Sequence, residues 1–292
     1  MPQLARDIIA LSKPRIILLL VITCLGAMFV ATRGNMYLIS FPLAFWTCLG
    51  LALSAAGANM VNMWYDRDID AVMSRTQRRP LPQGRLHPLF VLGLGGVLGV
   101  SAFMLLWCTV NLLTALMAAS GYLFYVFIYT MFLKRRTVQN IVIGGAAGAF
   151  PPLVGWAAVQ NSLDPTAWFM FAVIFFWTPP HFWALALYKC KDYTKAGVPM
   201  LPVVKGDEVT KRQMMFYLLI LVSLTLSAVL FEPTFGMIYF LSAFVLGGIW
   251  IFKTFRLMRA DDIAFAPDVF KFSLYYLAFL FLAMVVDTFI VL

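Results

Sequence analysis

Nine long apolar runs dominate this sequence and limit what it can fold into. They lie at about residues 15–32, 40–62, 88–107, 112–133, 139–159, 166–188, 214–231, 234–252 and 268–291. A bilayer hydrocarbon core about 30 Å thick needs about 20 apolar residues per crossing helix. Hydrocarbon offers the backbone no hydrogen-bond partners, so only helices or closed barrels cross it. Because the runs are continuous rather than alternating, they predict an all-α polytopic membrane protein with nine transmembrane helices.

The polar segments between the runs are short. None is long enough for a separate soluble domain, so we expect residues 1–292 to form a single transmembrane domain. The basic start and first apolar run resemble a signal peptide, but the run is longer than a signal peptide core. We therefore interpret it as the first transmembrane span.

The basic residues are distributed very unevenly. Of 22 Lys and Arg, all but Arg33 precede the first span or follow an even-numbered one. The positive-inside rule then predicts a cytoplasmic N-terminus, cytoplasmic even-to-odd loops and an external C-terminus. We expect the membrane to be the bacterial inner membrane. Topology and contact with the lipid bilayer account for the net charge of +9, so we expect no nucleic-acid partner.

One polar segment, residues 59–85, concentrates charge in a chain that is only 12% charged. Asn62, Asp66 and Asp70 recur every fourth residue, which places them on one helix face. Mg²⁺ is usually held by one or two carboxylates, substrate phosphates and water. This stripe is therefore a candidate metal site.

Arginines follow the stripe at Arg75, Arg78 and Arg79. The planar guanidinium binds phosphate oxygens in a bidentate way, so these residues are candidates for binding a diphosphate. The alternative is a solvated loop whose charges pair with one another. The regular spacing at a helix end in so charge-poor a chain favours the binding site.

A second polar segment, residues 181–208, follows the sixth span and opens on the same membrane face. Tyr188 and Asp192 are four residues apart, and Lys191 and Lys195 lie beside them. Asp192 is a candidate second metal contact, and the lysines are candidates for holding a diphosphate. Each lysine taken alone is equally explained by the positive-inside rule.

His181 lies about 10 Å deeper than Tyr188, at a rise of about 1.5 Å per residue. Polar groups at such depth usually face the bundle interior. Iron ligation, substrate orientation, proton transfer and structural hydrogen bonding between helices all remain open for this residue.

A metal–diphosphate site at the mouth of an apolar protein suits a prenyl diphosphate substrate. Mg²⁺, Arg and Lys would stabilise the departing diphosphate, and apolar walls would keep water from the allylic cation. No nucleophilic triad, P-loop or dinucleotide-binding motif indicates other chemistry.

The NxxxDxxxD motif at residues 62–70, with a second polar motif after the sixth span, resembles the UbiA-type intramembrane prenyltransferases. Three longer segments, residues 66–86, 140–156 and 179–206, resemble the haem-farnesylating branch of that family, and the likeness covers about residues 10–290. It departs from the family pattern where Ala196 follows Asp192 by four residues, because many members have spaced aspartates there.

The resemblance implies nine helices around a central cavity and farnesyl transfer from farnesyl diphosphate to a vinyl group of haem B, giving haem O. It implies Mg²⁺ as cofactor, catalytic roles for the polar residues of both loops and for His181, and haem A synthase or a terminal oxidase under assembly as partners. Lys134 and Arg135 are candidates for the diphosphate, and with Arg136 for the haem propionates.

Three other functions stay open at this point. A related enzyme would prenylate a quinone precursor instead of haem. An ion-coupled transporter would use intramembrane carboxylates, of which Asp287 is the main candidate. A phospholipid head-group transferase would also use clustered aspartates, but its usual glycine- and arginine-containing spacing is absent.

Overall fold

A computed structural model describes residues 3–290, which are helical or in connecting turns. The helices are α1 (Gln3–Ser12), α2 (Pro14–Ala31), α3 (Phe41–Tyr65), α4 (Arg67–Val72), α5 (Pro88–Thr109), α6 (Leu112–Leu123), α7 (Asn140–Gly144), α8 (Ala146–Gln160), α9 (Pro165–Tyr188), α10 (Cys190–Lys195), α11 (Leu201–Ser227), α12 (Met237–Arg259) and α13 (Ala266–Ile290). Within these residues nine helical segments are long and apolar enough to cross a membrane. The prediction of a nine-span all-α protein is confirmed.

Several spans begin at residues that favour helix starts. Proline occupies the first turn of α2, α3, α5, α9 and α11, where its missing N–H costs no hydrogen bond. The Ser40 hydroxyl accepts a hydrogen bond from the Leu43 N–H (3.3 Å), and Asn111 Oδ1 accepts one from the Thr114 N–H (2.8 Å). These caps satisfy amide groups left free by the first helical turn.

Three spans differ in detail from the sequence prediction. The fourth changes from α6 into a π-helix over Phe124–Leu133. The fifth is divided into α7 and α8 at Gly145. The seventh begins at Leu201 instead of about residue 214 and contains a kink at Gly206, whose φ of 78° suits glycine. The first part of α11 lies outside the predicted span because this part contains charged residues.

The fifth and sixth spans are the most enclosed, and the others pack around them. Two close backbone approaches hold neighbouring spans together. A Cβ atom at Gly155 would lie 2.2 Å from the Cys24 carbonyl oxygen, which joins α8 to α2. A Cβ atom at Gly57 would lie 2.6 Å from the Gly95 carbonyl oxygen, which joins α3 to α5. In a bilayer the hydrophobic effect does not drive helices together, so small residues that allow close van der Waals packing become important.

The loops that follow α3, α6, α9 and α12 share one end of the bundle, called the loop face below. The first contains α4, and the third contains α10 and the non-helical residues 196–200. Gly197, with a φ of 63°, and Pro199 interrupt the helix there. The loop face therefore collects both polar segments of the sequence.

Candidate functional site

The first part of the site is built where α3 gives way to α4. Asp66 lies at this junction with φ −88° and ψ 6°. Its N–H still donates to the Asn62 carbonyl (2.9 Å), and its own carbonyl accepts from the Asp70 N–H (2.8 Å). The helical register thus continues through the junction, and all three side chains are buried: Asn62 is 3% exposed, Asp66 1% and Asp70 3%.

Each buried carboxylate has a cationic partner. Lys134, at the end of the fourth span, donates to Asp66, and Arg79 donates to Asp70 at 2.6 Å. A buried carboxylate without a partner would be strongly destabilising, so these two ion pairs stabilise Asp66 and Asp70 inside the protein. The structure brings the predicted Asp66, Asp70, Arg79 and Lys134 into one charged cluster.

Asp68 points away from this cluster, because its position in the sequence falls between those of Asp66 and Asp70 and so on another side of the helix. Its side chain is 62% exposed and makes a bidentate ion pair with Arg135, with both N–O distances 2.7 Å. The hydrogen bonds from Arg135 lower the pKa of Asp68 to about 2. Arg135 also reaches Asp66 at 3.4 Å and the Tyr65 carbonyl at 2.8 Å, so it lies beside the cluster.

Asn62 holds its neighbours in place. Its Nδ2 donates to Asp66 (2.7 Å) and to the Thr130 hydroxyl (3.1 Å), while its Oδ1 accepts from Lys13 (3.0 Å). In this arrangement the amide oxygen that sequence analysis assigned to the metal is paired with Lys13. Asn62 therefore orients Asp66 as well as being a candidate ligand.

Lys13 is the residue of this cluster that sequence analysis missed. It lies between α1 and α2 with a left-handed φ of 56°, which is rare for lysine. Burial, followed by the nearby charges of Arg79 and Lys134, lowers its pKa to about 7. In the sequence Lys13 is only one of several basic residues near the first span, and no motif connects it with residues 62–70.

The second part of the site is a cleft of about 610 Å³ on the loop face. It is lined by Ser74, Leu187, Tyr188, Lys189, Cys190, Lys191, Asp192, Asp207 and Ile263. The Ser74 hydroxyl bonds to Asp192, at 2.9 Å to Oδ1 and 2.8 Å to Oδ2. The two polar loops thus meet directly, and Tyr188, Lys191 and Asp192 share one wall.

Three predicted diphosphate-binding residues do not join these contacts. Arg75, Arg78 and Lys195 are exposed, and their side chains make no ion pair or hydrogen bond within residues 3–290. They remain candidates only as solvent-facing cations of the two polar loops. His181 lies deeper, buried in α9, with Nδ1 2.6 Å from the Ser273 hydroxyl.

The residues present fit a magnesium ion that completes its coordination with substrate. Over the described part of the chain, no three His, Cys, Asp or Glu side chains come together as a metal group, and Asp192 is separate from Asp66 and Asp70. Mg²⁺ does not need such a cage, because one or two carboxylates with phosphate oxygens and water suffice. Asp66 and Asp70, with three cations nearby, supply that incomplete set.

Comparison with known proteins identifies this architecture. The sequence profile of the UbiA prenyltransferase family matches residues 20–285. The chain belongs to the UbiA prenyltransferase family. It is therefore a multi-pass membrane prenyltransferase, and the transporter and head-group transferase alternatives are not supported.

A curated relative within this family is the protoheme IX farnesyltransferase of Symbiobacterium thermophilum. It is 53% identical over 287 residues, which cover 98% of this chain and 95% of the relative. Among solved structures, a digeranylgeranylglyceryl phosphate synthase matches with a TM-score of 0.79 and 18% identity over 98% of both chains. A UbiA homolog from Archaeoglobus fulgidus, bound to DMAPP and Mg²⁺, matches with a TM-score of 0.65 and 16% identity over 95% of this chain and 99% of that chain.

Asp287, which the transporter alternative required, has a structural partner instead. Its Oδ2 accepts hydrogen bonds from the Gly236 N–H at 2.8 Å and the Tyr239 N–H at 2.7 Å. These are free amide groups at the start of α12, and a carboxylate is favourable there. Asp287 thus joins α13 to α12.

Proposed function

We propose that this chain transfers a farnesyl group from farnesyl diphosphate to a vinyl group of haem B, giving haem O and diphosphate. The observation that carries the prenyl-transfer chemistry is the buried pair Asp66 and Asp70 among Lys13, Arg79 and Lys134. The choice of haem as acceptor is supported by the relative at 53% identity over nearly the whole chain.

In this proposal Asp66 and Asp70, with Asn62 beside them, hold the magnesium ion. When bound, Mg²⁺ neutralises negative charge on the departing diphosphate. The Archaeoglobus homolog binds DMAPP together with Mg²⁺ on the same fold, which supports this assignment. Asp192, in the cleft formed by the second loop, is a further candidate contact.

The cations of the cluster receive the diphosphate. Arg79 and Lys134 are each paired with one of the two aspartates, and Lys13 donates a hydrogen bond to Asn62 beside them. Their N–H groups would turn towards phosphate oxygens once the carboxylates bind the metal. Arg135 and Lys191 lie at the rim of the same site, and preorganised donors of this kind stabilise charge that develops as the bond breaks.

The departing diphosphate leaves an allylic cation that water would destroy. The interior beyond Tyr188 is apolar and aromatic, with His181 stacked on both Trp177 and Phe270, and Phe270 in contact with Tyr188. Aromatic faces stabilise a nearby cation, and exclusion of water keeps it available for the haem vinyl group. Attack by the vinyl group forms the new C–C bond and moves the positive charge to the vinyl carbon next to the porphyrin ring, where one water molecule adds as hydroxyl and releases a proton to complete haem O. No covalent intermediate on the protein is needed.

We also propose the setting in which this reaction occurs. Residues 1–292 form one prenyltransferase domain in the bacterial inner membrane, with the N-terminus and loop face cytoplasmic and the C-terminus outside. The basic residues of that face support this orientation. A haem A synthase or a terminal oxidase under assembly would take up the product.

The test uses purified protein with haem B, Mg²⁺ and a mixture of prenyl diphosphates. We expect haem O by mass spectrometry, formed from farnesyl diphosphate in preference to shorter and longer chains. Prenylation of an added quinone precursor without any haem product would replace haem as the acceptor. Absence of prenyl transfer to every acceptor would refute the proposed activity.

A further inference from the structure

The imidazole of His181 is held rigidly between two helices. Trp177 stacks on one face of the ring, with centroids 4.1 Å apart and planes 19° apart. Phe270 of α13 also stacks on it, at 4.6 Å and 27°. Stacking on Trp177 and Phe270 fixes the ring plane, so the polar interactions of His181 are made at its edge.

One nitrogen of that edge, Nδ1, is hydrogen-bonded to Ser273. The Ser273 hydroxyl donates its only proton to the Phe270 carbonyl, with an O–O distance of 2.6 Å. It must then accept at its oxygen, so the contact of 2.6 Å with His181 Nδ1 has the imidazole N–H as donor. The proton of a neutral His181 therefore lies on Nδ1.

Ser273 is itself fixed in position. It is fully buried, and its backbone carbonyl accepts a hydrogen bond from the Trp177 indole N–H at 2.8 Å. Trp177, His181 and Ser273 thus form a closed set that joins α9 to α13. The arrangement fixes both the position of the imidazole and its tautomer.

The other nitrogen, Nε2, then carries a lone pair that accepts no hydrogen bond from residues 3–290. Among residues 3–290 no donor lies within hydrogen-bond distance of Nε2. The atom nevertheless keeps some accessible surface, unlike the unpaired polar atoms that are completely buried. An imidazole with Nδ1–H bonded and Nε2 free has the arrangement that metal-ligating histidines adopt.

We propose that His181 Nε2 is an axial ligand of the haem iron and that Ser273 is the positioning residue that selects the ligating tautomer. The proposal rests on the proposed function, because haem is the iron-bearing substrate of that function. Tyr188, at the cleft, contacts Phe270 with ring centroids 6.1 Å apart, so an aromatic path connects the cleft with His181.

The first test is spectroscopic and needs no turnover. The chain has 2 histidines, His87 and His181, so His87→Ala is a matched control. Purified protein is titrated with haem B, and the Soret and visible bands are recorded for wild type, H87A and H181A. We expect an imidazole-ligated spectrum in wild type and H87A, its loss in H181A, and its partial return when free imidazole is added to H181A.

An H181A spectrum identical to that of wild type would overturn the ligation. If H181A fails to fold, His181→Gln keeps a similar side-chain size and a polar end without an imidazole. Binding of inorganic diphosphate and Mg²⁺ to the Asp66–Asp70 cluster is measured for each variant, because it reports folding independently of haem.

A second test separates positioning from packing at Ser273. Thr and Val have nearly the same shape, but only Thr keeps a hydroxyl. We expect Ser273→Val to bind haem about 10–100-fold more weakly than Ser273→Thr, the usual effect of removing a partner of a metal-ligating histidine. Equal haem affinities and equal spectra for the two variants would show that the hydroxyl has no such role.

The ligation and the proposed reaction can fail separately. Wild-type protein that shows His181-dependent haem spectra but prenylates only another acceptor would refute the proposed function. If wild-type protein produces haem O, and H181A has the same haem spectrum as wild type, the ligation alone is refuted.

Discussion

Ser74 and Asp192 are 118 residues apart in the chain, yet the Ser74 hydroxyl lies within 2.9 Å of both carboxylate oxygens of Asp192. Ser74 follows α4 in the first polar loop, and Asp192 lies in α10 of the second. This contact joins the two loops at the edge of the cleft. It therefore helps to fix the distance between the loop that carries Asp66 and Asp70 and the wall of the cleft that carries Tyr188 and Lys191.

Removing the hydroxyl by Ser74→Ala should loosen this junction. A hydrogen bond to a charged group contributes about 1.5–3 kcal/mol when buried, and less here because both residues are partly exposed. We expect about a tenfold rise in KM for farnesyl diphosphate with a smaller change in kcat. Ser74→Thr, which keeps the hydroxyl, should remain close to wild type, and equal kinetics for both variants would contradict a role for the contact.

The three aspartates of the first loop offer an internal comparison. Asp66→Asn and Asp70→Asn each remove a buried negative charge that we assign to Mg²⁺ binding, so we expect loss of turnover by at least about 10³-fold, or about 4 kcal/mol. Asp68→Asn removes an exposed carboxylate and should keep most activity. Turnover is measured by haem O formation, and membrane insertion is checked for all three proteins.

The result that would contradict this assignment is clear. Near-wild-type activity of Asp66→Asn and Asp70→Asn at limiting Mg²⁺ would exclude both carboxylates as metal ligands. Equal loss in Asp68→Asn would indicate a general effect of charge on the loop.

Lys13→Met should weaken binding of the diphosphate. The substitution keeps an unbranched side chain but removes the ammonium group that lies 3.0 Å from Asn62 Oδ1. We expect weaker inhibition by inorganic diphosphate and a higher KM for farnesyl diphosphate, by about 10–100-fold, as for loss of a charged hydrogen bond. Arg15→Met, on the following helix turn, is the control, and equal effects at both positions would contradict a specific role for Lys13.

Removal of divalent cations should stop the reaction, because the proposed site needs a metal between the carboxylates and the diphosphate. We expect no haem O after treatment with a chelator and full recovery with Mg²⁺. Ca²⁺ should restore less activity because it prefers longer bonds and more ligands. Unchanged turnover in excess chelator would refute the metal requirement.

Gly155→Ala should destabilise the protein, because the new Cβ atom would lie 2.2 Å from the Cys24 carbonyl oxygen. Backbone atoms cannot yield easily, so we expect a loss of about 1–3 kcal/mol and a lower Tm in detergent. Gly148→Ala lies in the same helix with nothing within 4 Å of its Cβ position and is the matched control. It should be neutral or slightly stabilising, because alanine favours helix.

The sequence by itself determined the transmembrane framework. Each crossing needs about 20 apolar residues whatever surrounds it, so nine spans could be identified from nine runs. It also determined the stripe of Asn62, Asp66 and Asp70, because helical spacing alone places residues four apart on one face. The start of α11 at Leu201 was missed because its first turns are polar and leave the apolar pattern.

Only the tertiary structure decided which other side chains complete the site. Lys13 reaches Asn62 across 49 residues, Ser74 reaches Asp192 across 118, and Ser273 reaches His181 across 92. Each partner is a single polar residue without a motif, so local periodicity carries no information about it. The physical reason is burial, because a carboxylate or imidazole inside the protein is destabilising unless it has a hydrogen-bond or ion-pair partner. Helix packing determines which residue is close enough to be that partner.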